Sequence, residues 1–245
     1  MLLAVDIGNT NINLGVFHGK RLLKRYAIPT KRSEYHSFLK KIYSQHRIND
    51  ALICSVVPTS TMALAKCLKK LSGKRPYIIG KDIKVAIKNL YRKPGQVGQD
   101  RLVNSYAASR LFGAPLIVVD FGTAVTFDVV SRKQEYLGGM ILPGLRISLD
   151  ALFERTALLP KVNLQTPREF IGKNTRNSIL SGIVYGFAAM SDDLVRRIKG
   201  KIGSNAQVIL TGGDAELLNK YCLRASKIDK DLTLKGLNLL YNNRT

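Results

Sequence analysis

Two segments of the chain share the same order of apolar and polar positions. Each begins with a short apolar run, residues 2–5 and 116–119, typical of a strand buried on both faces. Each run reaches an aspartate, Asp6 or Asp120, then a turn of small and polar residues, and then a second strand. Because the two segments lie about half the chain apart, they predict a duplicated α/β fold with halves at residues 1–113 and 114–245.

The remaining periodicity predicts strands and helices in a similar order in both halves. In the first half we expect a three-stranded meander, a helix, a buried strand, a second helix and a short strand: residues 2–7, 12–17, 21–28, 34–46, 51–57, 59–71 and 76–79. The expected N-caps of these helices are Ser33 and then Thr59 or Ser60. In the second half we expect a meander, a helix, a long helix capped by Asn174 or Thr175, a strand and two closing helices: residues 115–142, 145–153, up to 199, 207–210 and beyond.

The centre of the chain combines a long connection with a helix that carries an acid. Residues 81–98 show no clear periodicity, and loops of that length within a compact domain are usually functional. The segment from Gly98 to Arg101 then opens a helix that runs to about Phe112, which places Asp100 in or just before its first turn. Asp100 is therefore either an N-cap or a carboxylate that activates a hydroxyl group next to a bound acid.

The two aspartate turns are candidate phosphate sites. Gly122 and Thr123 follow the strand without bulky side chains, so backbone N–H groups and a hydroxyl could face an anion. The plain alternative is a tight β-turn, since Asp, Gly, Asn and Thr are common turn residues. The matched pair favours the phosphate interpretation, with a nucleotide in a cleft between the two halves.

Composition changes this picture little. A length of 245 residues with 45% hydrophobic content is enough for a sizeable core. The net charge of +22 is of the kind found in nucleic-acid-binding proteins. However, the basic residues are spread along the chain, aromatic residues make up 7% and Trp is absent, so we do not expect a nucleic-acid partner. A basic surface would also attract anionic ATP.

Several classes of site and location are not expected. The three cysteines are widely spaced and include no CxxC pair, which argues against disulfides and zinc: Cys54, Cys67 and Cys222. The three histidines lie near no Ser or Cys constellation, which argues against a hydrolase: His18, His36 and His46. The N-terminus shows no signal peptide, and residues 179–190 are too short and glycine-broken to span a bilayer. A cytoplasmic location is therefore expected.

Six short motifs in order resemble those of the type III pantothenate kinases. They are DIGNT near the N-terminus, GQDR at 98–101, DFGTA at 120–124, GGMILPG at 138–144, GKNT at 172–175 and TGG at 211–213. The resemblance covers nearly the whole chain. It implies a duplicated ribonuclease-H-like fold of the actin-like ATPase type, and ATP-dependent phosphorylation of pantothenate, the first step of coenzyme A synthesis.

The resemblance also implies an ATP site and two cations. The implied ATP contacts are one continuous segment, one turn threonine and an adenosine-binding turn: Asp6, Ile7, Gly8, Asn9, Thr10, Asn11, Ile12, Asn13, Thr123, Gly212 and Gly213. Asp6 would orient Mg²⁺, directly or through water, because Mg²⁺ prefers a carboxylate plus several waters. For Asp120 the resemblance implies a monovalent cation, K⁺ or NH₄⁺, whereas analogy with Asp6 leaves Mg²⁺ open.

The implied substrate site is shared between two subunits. Its residues are Tyr91, Gly98, Gln99, Asp100, Arg101 and, from the neighbouring subunit, Thr175. Asp100 would be the catalytic base, and Arg101 suits a carboxylate or amide. A homodimer is therefore expected, and Gly182 and Gly186 on one helix face would allow close packing.

Some positions depart from the family pattern. Gln99 stands where members usually have a small residue, Asn13 where many have Lys, and Lys230 where a proline is common. These departures leave the turnover rate open. A non-catalytic regulator on the same scaffold, with some role in transcription, is the alternative function, but retention of both turn aspartates and Asp100 favours an enzyme.

Overall fold

The structure is a computed structural model that describes residues 1–31 and 35–244. The first apolar strand of the chain lies at the centre of a five-stranded sheet. The sheet has the strand order β3-β2-β1-β4-β5, with β1 antiparallel to β2 and parallel to β4. Its strands are β1 Leu2–Ile7, β2 Asn11–His18, β3 Arg21–Pro29, β4 Asp50–Ser55 and β5 Tyr77–Ile78. The helices of this unit are α1 Tyr35–Gln45, α2 Pro58–Ser72, α3 Gln99–Phe112, which crosses the unit boundary, and α7 Leu232–Asn242.

The two faces of this sheet bury different helices because strand side chains alternate. Leu3, Val5 and Ile7 belong to a core cluster with residues of α1 and α2. Leu2 and Ala4 belong to a second cluster with residues of α3 and α7. Asp6, two positions after Ala4, therefore projects from the face that α3 covers.

A six-stranded sheet forms the second compact unit, in the order β11-β10-β7-β8-β9-β6. Its elements are β6 Lys88–Asn89, β7 Leu116–Phe121, β8 Ala124–Val130, β9 Glu135–Pro143, α4 Leu145–Glu154, α5 Thr175–Ile202, β10 Gln207–Thr211, α6 Ala215–Leu218 and β11 Lys227–Ile228. The strand β7 again lies between an antiparallel and a parallel neighbour, β8 and β10. This arrangement matches that around β1, as the duplication predicts.

The compact units differ from the two sequence halves. One unit contains residues 1–87, 92–107 and 231–245, and the other contains residues 88–91 and 108–230. The expected boundary at Gly113 lies close to the observed one. The last helix, α7, joins the N-terminal unit because Leu234, Leu237 and Leu240 pack in the cluster that contains Leu2.

Three local expectations differ from the structure or fall outside it. The helix α2 begins at Pro58, with Val57 as its N-cap and no side-chain cap, so Thr59 and Ser60 do not cap it. Proline suits the first helical position because its missing N–H would have no partner there. The long connection contains β6 and a 3₁₀ turn, Pro94–Gln96. Ser33 lies outside the described residues.

The long helix α5 has an apolar composition and a mostly accessible surface. Among the residues that the structure describes, it is the one helix long and apolar enough to cross a membrane by length and composition. Core helices of water-soluble proteins meet the same criterion. Leu180, Val184 and Ala188 on one of its faces are buried.

Candidate active site

Asp6 lies at the end of β1, next to a tight glycine turn. The Gly8 N–H donates to the Asn11 carbonyl oxygen at 3.0 Å and closes the hairpin to β2. Thr30 holds this turn from outside, because its hydroxyl donates to the Gly8 carbonyl at 2.6 Å. Asn9 and Thr10 at the tip are exposed. The turn therefore presents backbone and polar side chains on a fixed support.

Asp100 lies in the first turn of α3, as expected, in the same unit as Asp6. Its Oδ1 accepts a hydrogen bond from the Arg101 N–H at 2.9 Å. A Cβ atom on Gly98 would lie 2.5 Å from that oxygen, so a side chain at this position would require the carboxylate to move. Arg101 itself is buried. The GQDR segment thus fixes the position of one acid.

The carboxylates of Asp6 and Asp100 lie close enough to influence each other. Burial and then the negative charge of Asp100 raise the pKa of Asp6 to about 7, although an Asn13 hydrogen bond acts in the opposite direction. Burial also raises the pKa of Asp100, while Arg101 opposes that rise. Beneath them the buried Cys54, directly opposite Asp6 on β4, has a thiol pKa raised well above its usual value by burial and by both carboxylates. The thiol therefore stays protonated and inert.

This acid pair fits a divalent cation by the chemistry of its donors. The two carboxylates supply oxygen ligands of the kind that Mg²⁺ prefers, and the Asn13 amide N–H donates a hydrogen bond to Asp6. Within residues 1–31 and 35–244, no group of three or more His, Cys, Asp or Glu residues could hold a metal. A magnesium ion here would therefore take further ligands from water or from phosphate, as Mg²⁺ usually does.

Asp120 is the residue before the last one of β7 in the second unit, and two glycines pack closely on the end of this strand and the turn that follows it. A Cβ atom on Gly212 would lie 2.4 Å from Asp120 Oδ1 and 2.6 Å from the Phe121 carbonyl oxygen. A Cβ atom on Gly144 would lie 2.2 Å from the Thr123 carbonyl oxygen and 2.6 Å from that of Gly122. The DFGT turn is therefore enclosed by two other segments at backbone contact distance. A carboxylate among carbonyl oxygens suits a cation such as K⁺.

The other expected substrate residues lie on different elements. Tyr91 follows β6 in the second unit, and its ring packs on Gly138. A Cβ atom added to Gly138 would lie 3.4 Å from the Tyr91 ring. The Gln99 side chain lies against Gly80, which has a φ of +82°. Thr175 is the exposed first residue of α5, with Asn174 as the N-cap that accepts from the Asn177 N–H at 2.9 Å. Among the described hydrogen bonds, none joins Thr175 to residues 120–124.

Sequence reasoning did not identify Gly80 or the ion pair of Arg146 and Asp214. Gly80 has a positive φ and lies so close to the Gln99 side chain that a Cβ atom would collide with it. The only sequence signal for this contact is a glycine directly after a short predicted strand. Arg146 forms an ion pair with Asp214 at 2.9 Å. These residues are far apart in the chain and neither has a periodicity that marks it as functional, so no sequence signal pointed to the pair.

We expect Asp6→Asn to stabilise the ligand-free protein at high pH. The pKa of Asp6 is about 7 when folded, against a reference of 3.8. The folded state therefore binds the proton more tightly, and stability present below pH 3.8 is lost as pH rises through 7. Because Asp6 keeps some solvent contact, we expect a gain of about 1–3 kcal/mol in unfolding free energy at pH 8.

Urea denaturation at pH 5 and pH 8 would measure this difference. Asp150→Asn, at an exposed carboxylate on α4, is the matched control and should change neither value by more than about 0.5 kcal/mol. An Asp6→Asn protein that is less stable than the wild type at pH 8 would contradict the raised pKa of Asp6.

Comparisons with known proteins show the family to which the sequence is similar. Residues 2–197 match the family described as type III pantothenate kinase. A curated protein of that name from Moorella thermoacetica is 41% identical over 254 residues, covering 100% of both chains.

Two solved structures share the fold at low sequence identity. One is described as a putative Baf family transcriptional activator from Campylobacter jejuni, with 20% identity, a TM-score of 0.61 and coverage of 98% and 97% of the two chains. The other is an activator of 2-hydroxyisocaproyl-CoA dehydratase from Clostridium difficile with bound ADPNP, with 13% identity, a TM-score of 0.58 and coverage of 98% and 93%. These likenesses confirm the duplicated ribonuclease-H-like fold.

Proposed function

The chain belongs to the type III pantothenate kinase family, and we propose that it transfers the γ-phosphoryl group of ATP to the 4'-hydroxyl of pantothenate, the first step of coenzyme A synthesis. The observation that carries this proposal is the electrostatically coupled pair of Asp6 and Asp100 at the end of one sheet. One carboxylate beside a glycine turn suits the phosphate side of the reaction. The other, at the start of α3, suits the hydroxyl side.

Asp100 is the proposed base. Burial raises its pKa, which makes it a better proton acceptor than an ordinary exposed aspartate at neutral pH. The Arg101 N–H holds the carboxylate in one orientation, so the alcohol meets a positioned acceptor. Phosphoryl transfer has a loose transition state, and positioning of the groups supplies much of the catalysis.

The two turns are the proposed phosphate contacts. Asn9 and Thr10 present exposed polar side chains at the first hairpin, where Gly8 adds no side chain of its own, and Thr123 presents its hydroxyl at the second. The rest of the segment from Ile7 to Asn13 supports the first turn, since β1 and β2 pair from Ile7↔Ile12 and Asp6↔Asn13 onward. Gly212 and Gly213 provide a bare backbone turn suited to the adenosine moiety.

Asp6 would hold Mg²⁺, which supplies charge neutralisation for the phosphates when bound. Asp120 would hold a monovalent cation, K⁺ or NH₄⁺, among the carbonyl oxygens around Gly212 and Gly144. Replacement of K⁺ by a large organic cation should then lower activity and weaken ATP binding in the wild type but change neither in Asp120→Asn. Equal effects in both proteins would sink this assignment.

For pantothenate we propose Tyr91, Gly98, Asp100 and Arg101, with Thr175 from a second subunit. The Arg101 guanidinium suits the carboxylate or amide of the substrate. Gln99 belongs to the same segment, but its side chain rests on Gly80. It therefore takes the place of the usual small residue without needing room at Asp100, which supports retention of activity.

An assay that couples ADP release to NADH oxidation would test this function. We expect ADP release that requires pantothenate and Mg²⁺ together and is absent with Asp6→Asn. A regulator on the same scaffold is the less favoured alternative, because the relatives covering the full chain are named as kinases. The likeness to a transcriptional activator at 20% identity reflects the fold alone.

We expect a homodimer built on the second unit. Large apolar side chains there are exposed, including Leu158 at 92% and Ile171 at 76%. Gly182 and Gly186 on α5 have nothing within 4 Å of an added Cβ atom. A second copy would cover these groups, as close helix packing favours small residues. Sedimentation at micromolar concentration should show a dimer, which Ile171→Asp weakens and Leu223→Asp, at another exposed leucine, does not.

Subunit mixing would test the shared site. Neither Asp100→Asn nor Thr175→Val homodimers should turn over at the wild-type rate. Mixed dimers should regain activity because one of their two sites contains both native residues. Absence of recovery in verified mixed dimers would overturn the contribution of Thr175 across the interface. A cytoplasmic location is part of this proposal, since both substrates of such a kinase are intracellular metabolites.

A further inference from the structure

Arg146 and Asp214 join two segments that flank the DFGT turn. The Arg146 Nη2 atom donates to Asp214 Oδ1 at 2.9 Å. The helix α4 begins directly after Gly144, and Arg146 lies in its first turn. Asp214 follows the Thr211–Gly213 turn. The pair therefore links the segment after β9 to the segment after β10.

Both segments are anchored to the DFGT turn by backbone hydrogen bonds, one from Gly144 and one from Asp214 itself. The Gly144 N–H donates to the Thr123 carbonyl oxygen at 3.1 Å, and the Asp214 N–H donates to that of Phe121 at 3.1 Å. Gly144 also packs so closely on Thr123 that a side chain cannot fit. Arg146, two residues later, is consequently held near the tip of the turn.

The exposure of the pair is asymmetric. The Asp214 side chain is 10% exposed, whereas that of Arg146 is 63% exposed. A guanidinium group has five N–H donors in a rigid fork, and the one described hydrogen bond to Asp214 uses one of them. The buried carboxylate therefore fixes the position of a cation whose side chain stays mostly exposed to solvent. Such preorganisation lowers the entropic cost of binding a ligand.

We propose that Arg146 is an additional nucleotide-binding residue that contacts the phosphate chain of ATP, with Asp214 as its positioning residue. This inference rests on the proposed function, because it takes the DFGT turn as a phosphate site. The planar fork of arginine matches phosphate oxygens in a bidentate manner. Since Asp214 already offsets part of its charge, Arg146 provides directed hydrogen bonds more than bulk attraction.

Calorimetric binding of ATP, ADP and adenosine to the full chain would test this role. We expect Arg146→Gln to weaken ATP and ADP by about 10- to 50-fold, the range of a charge-assisted contact, and adenosine by less than about twofold. Arg146→Lys should lie between Gln and wild type. Arg132→Gln, at an exposed arginine in the turn between β8 and β9, removes the same charge and should change no affinity by more than about twofold.

The double variant Arg146→Gln with Asp214→Asn guards against misfolding, because it leaves no buried carboxylate without its cation. It should show the same selective loss of ATP and ADP. Equal weakening of ATP and adenosine, or unchanged ATP affinity, would overturn the proposal. Wild-type turnover of pantothenate tests the proposed function separately, so its failure would be distinguished from an error about Arg146.

Discussion

Asp100→Asn should lower kcat by about 10²–10⁴-fold, the usual contribution of a positioned acid or base, with little change in ATP affinity or melting temperature. Asparagine keeps an oxygen in the first turn of α3, so the contact with the Arg101 N–H survives. It removes the proton acceptor. If Asp100 only capped the helix, this substitution would change neither kcat nor the melting temperature appreciably.

The pH profile separates the base from a structural role. Burial raises the pKa of Asp100, so wild-type kcat/KM should fall as pH drops through that raised value. The residual activity of Asp100→Asn should lack this limb of the profile. Because base removal can be late in a loose transition state, a loss of less than about tenfold would count against the assignment. So would a decrease in melting temperature large enough to explain the loss.

Gly212→Ala should lower the free energy of unfolding by about 2–4 kcal/mol and abolish measurable adenosine binding. Gly212 has a φ of +95°, a conformation that costs any residue with a Cβ atom. That atom would also meet Asp120 Oδ1 at 2.4 Å and the Phe121 backbone at 2.6 Å. These neighbours are fixed parts of β7, so the turn has to move.

The adjacent Gly213→Ala is the matched control for stability. An added Cβ atom there meets nothing within 4 Å, and the residue is exposed. Urea denaturation should place Gly213→Ala within about 0.5 kcal/mol of the wild type. Equal stability of the two variants would show that the Thr211–Gly213 turn moves at little cost. The close packing of Gly212 on Asp120 and Phe121 would then not restrict this position to glycine.

The sequence predicted most of the strands because their patterns are local. The apolar runs before Asp6 and Asp120 become β1 and β7, each between an antiparallel and a parallel neighbour. The alternation along β1 also places Asp6 on the same face as Ala4, which packs in a cluster with residues of α3. The local signals at residues 174–175 and 98–101 likewise indicated where α5 and α3 begin, within one or two residues.

Long-range packing could not be predicted in the same way. The return of α7 to the N-terminal unit depends on contacts of Leu234 and Leu237 with a sheet formed more than two hundred positions earlier in the chain. The position of Gln99 depends on the φ of Gly80, and the Arg146 contact depends on a buried Asp214. None of these contacts leaves a periodic trace, so only coordinates reveal them.

Transfer of label from [γ-³²P]ATP to pantothenate tests the central claim most directly, because it follows the phosphoryl group itself. We predict label in 4'-phosphopantothenate with wild-type protein and Mg²⁺, and almost none with Asp100→Asn. Label released only as inorganic phosphate, or no transfer by a folded wild-type protein that binds ATP, would contradict the account.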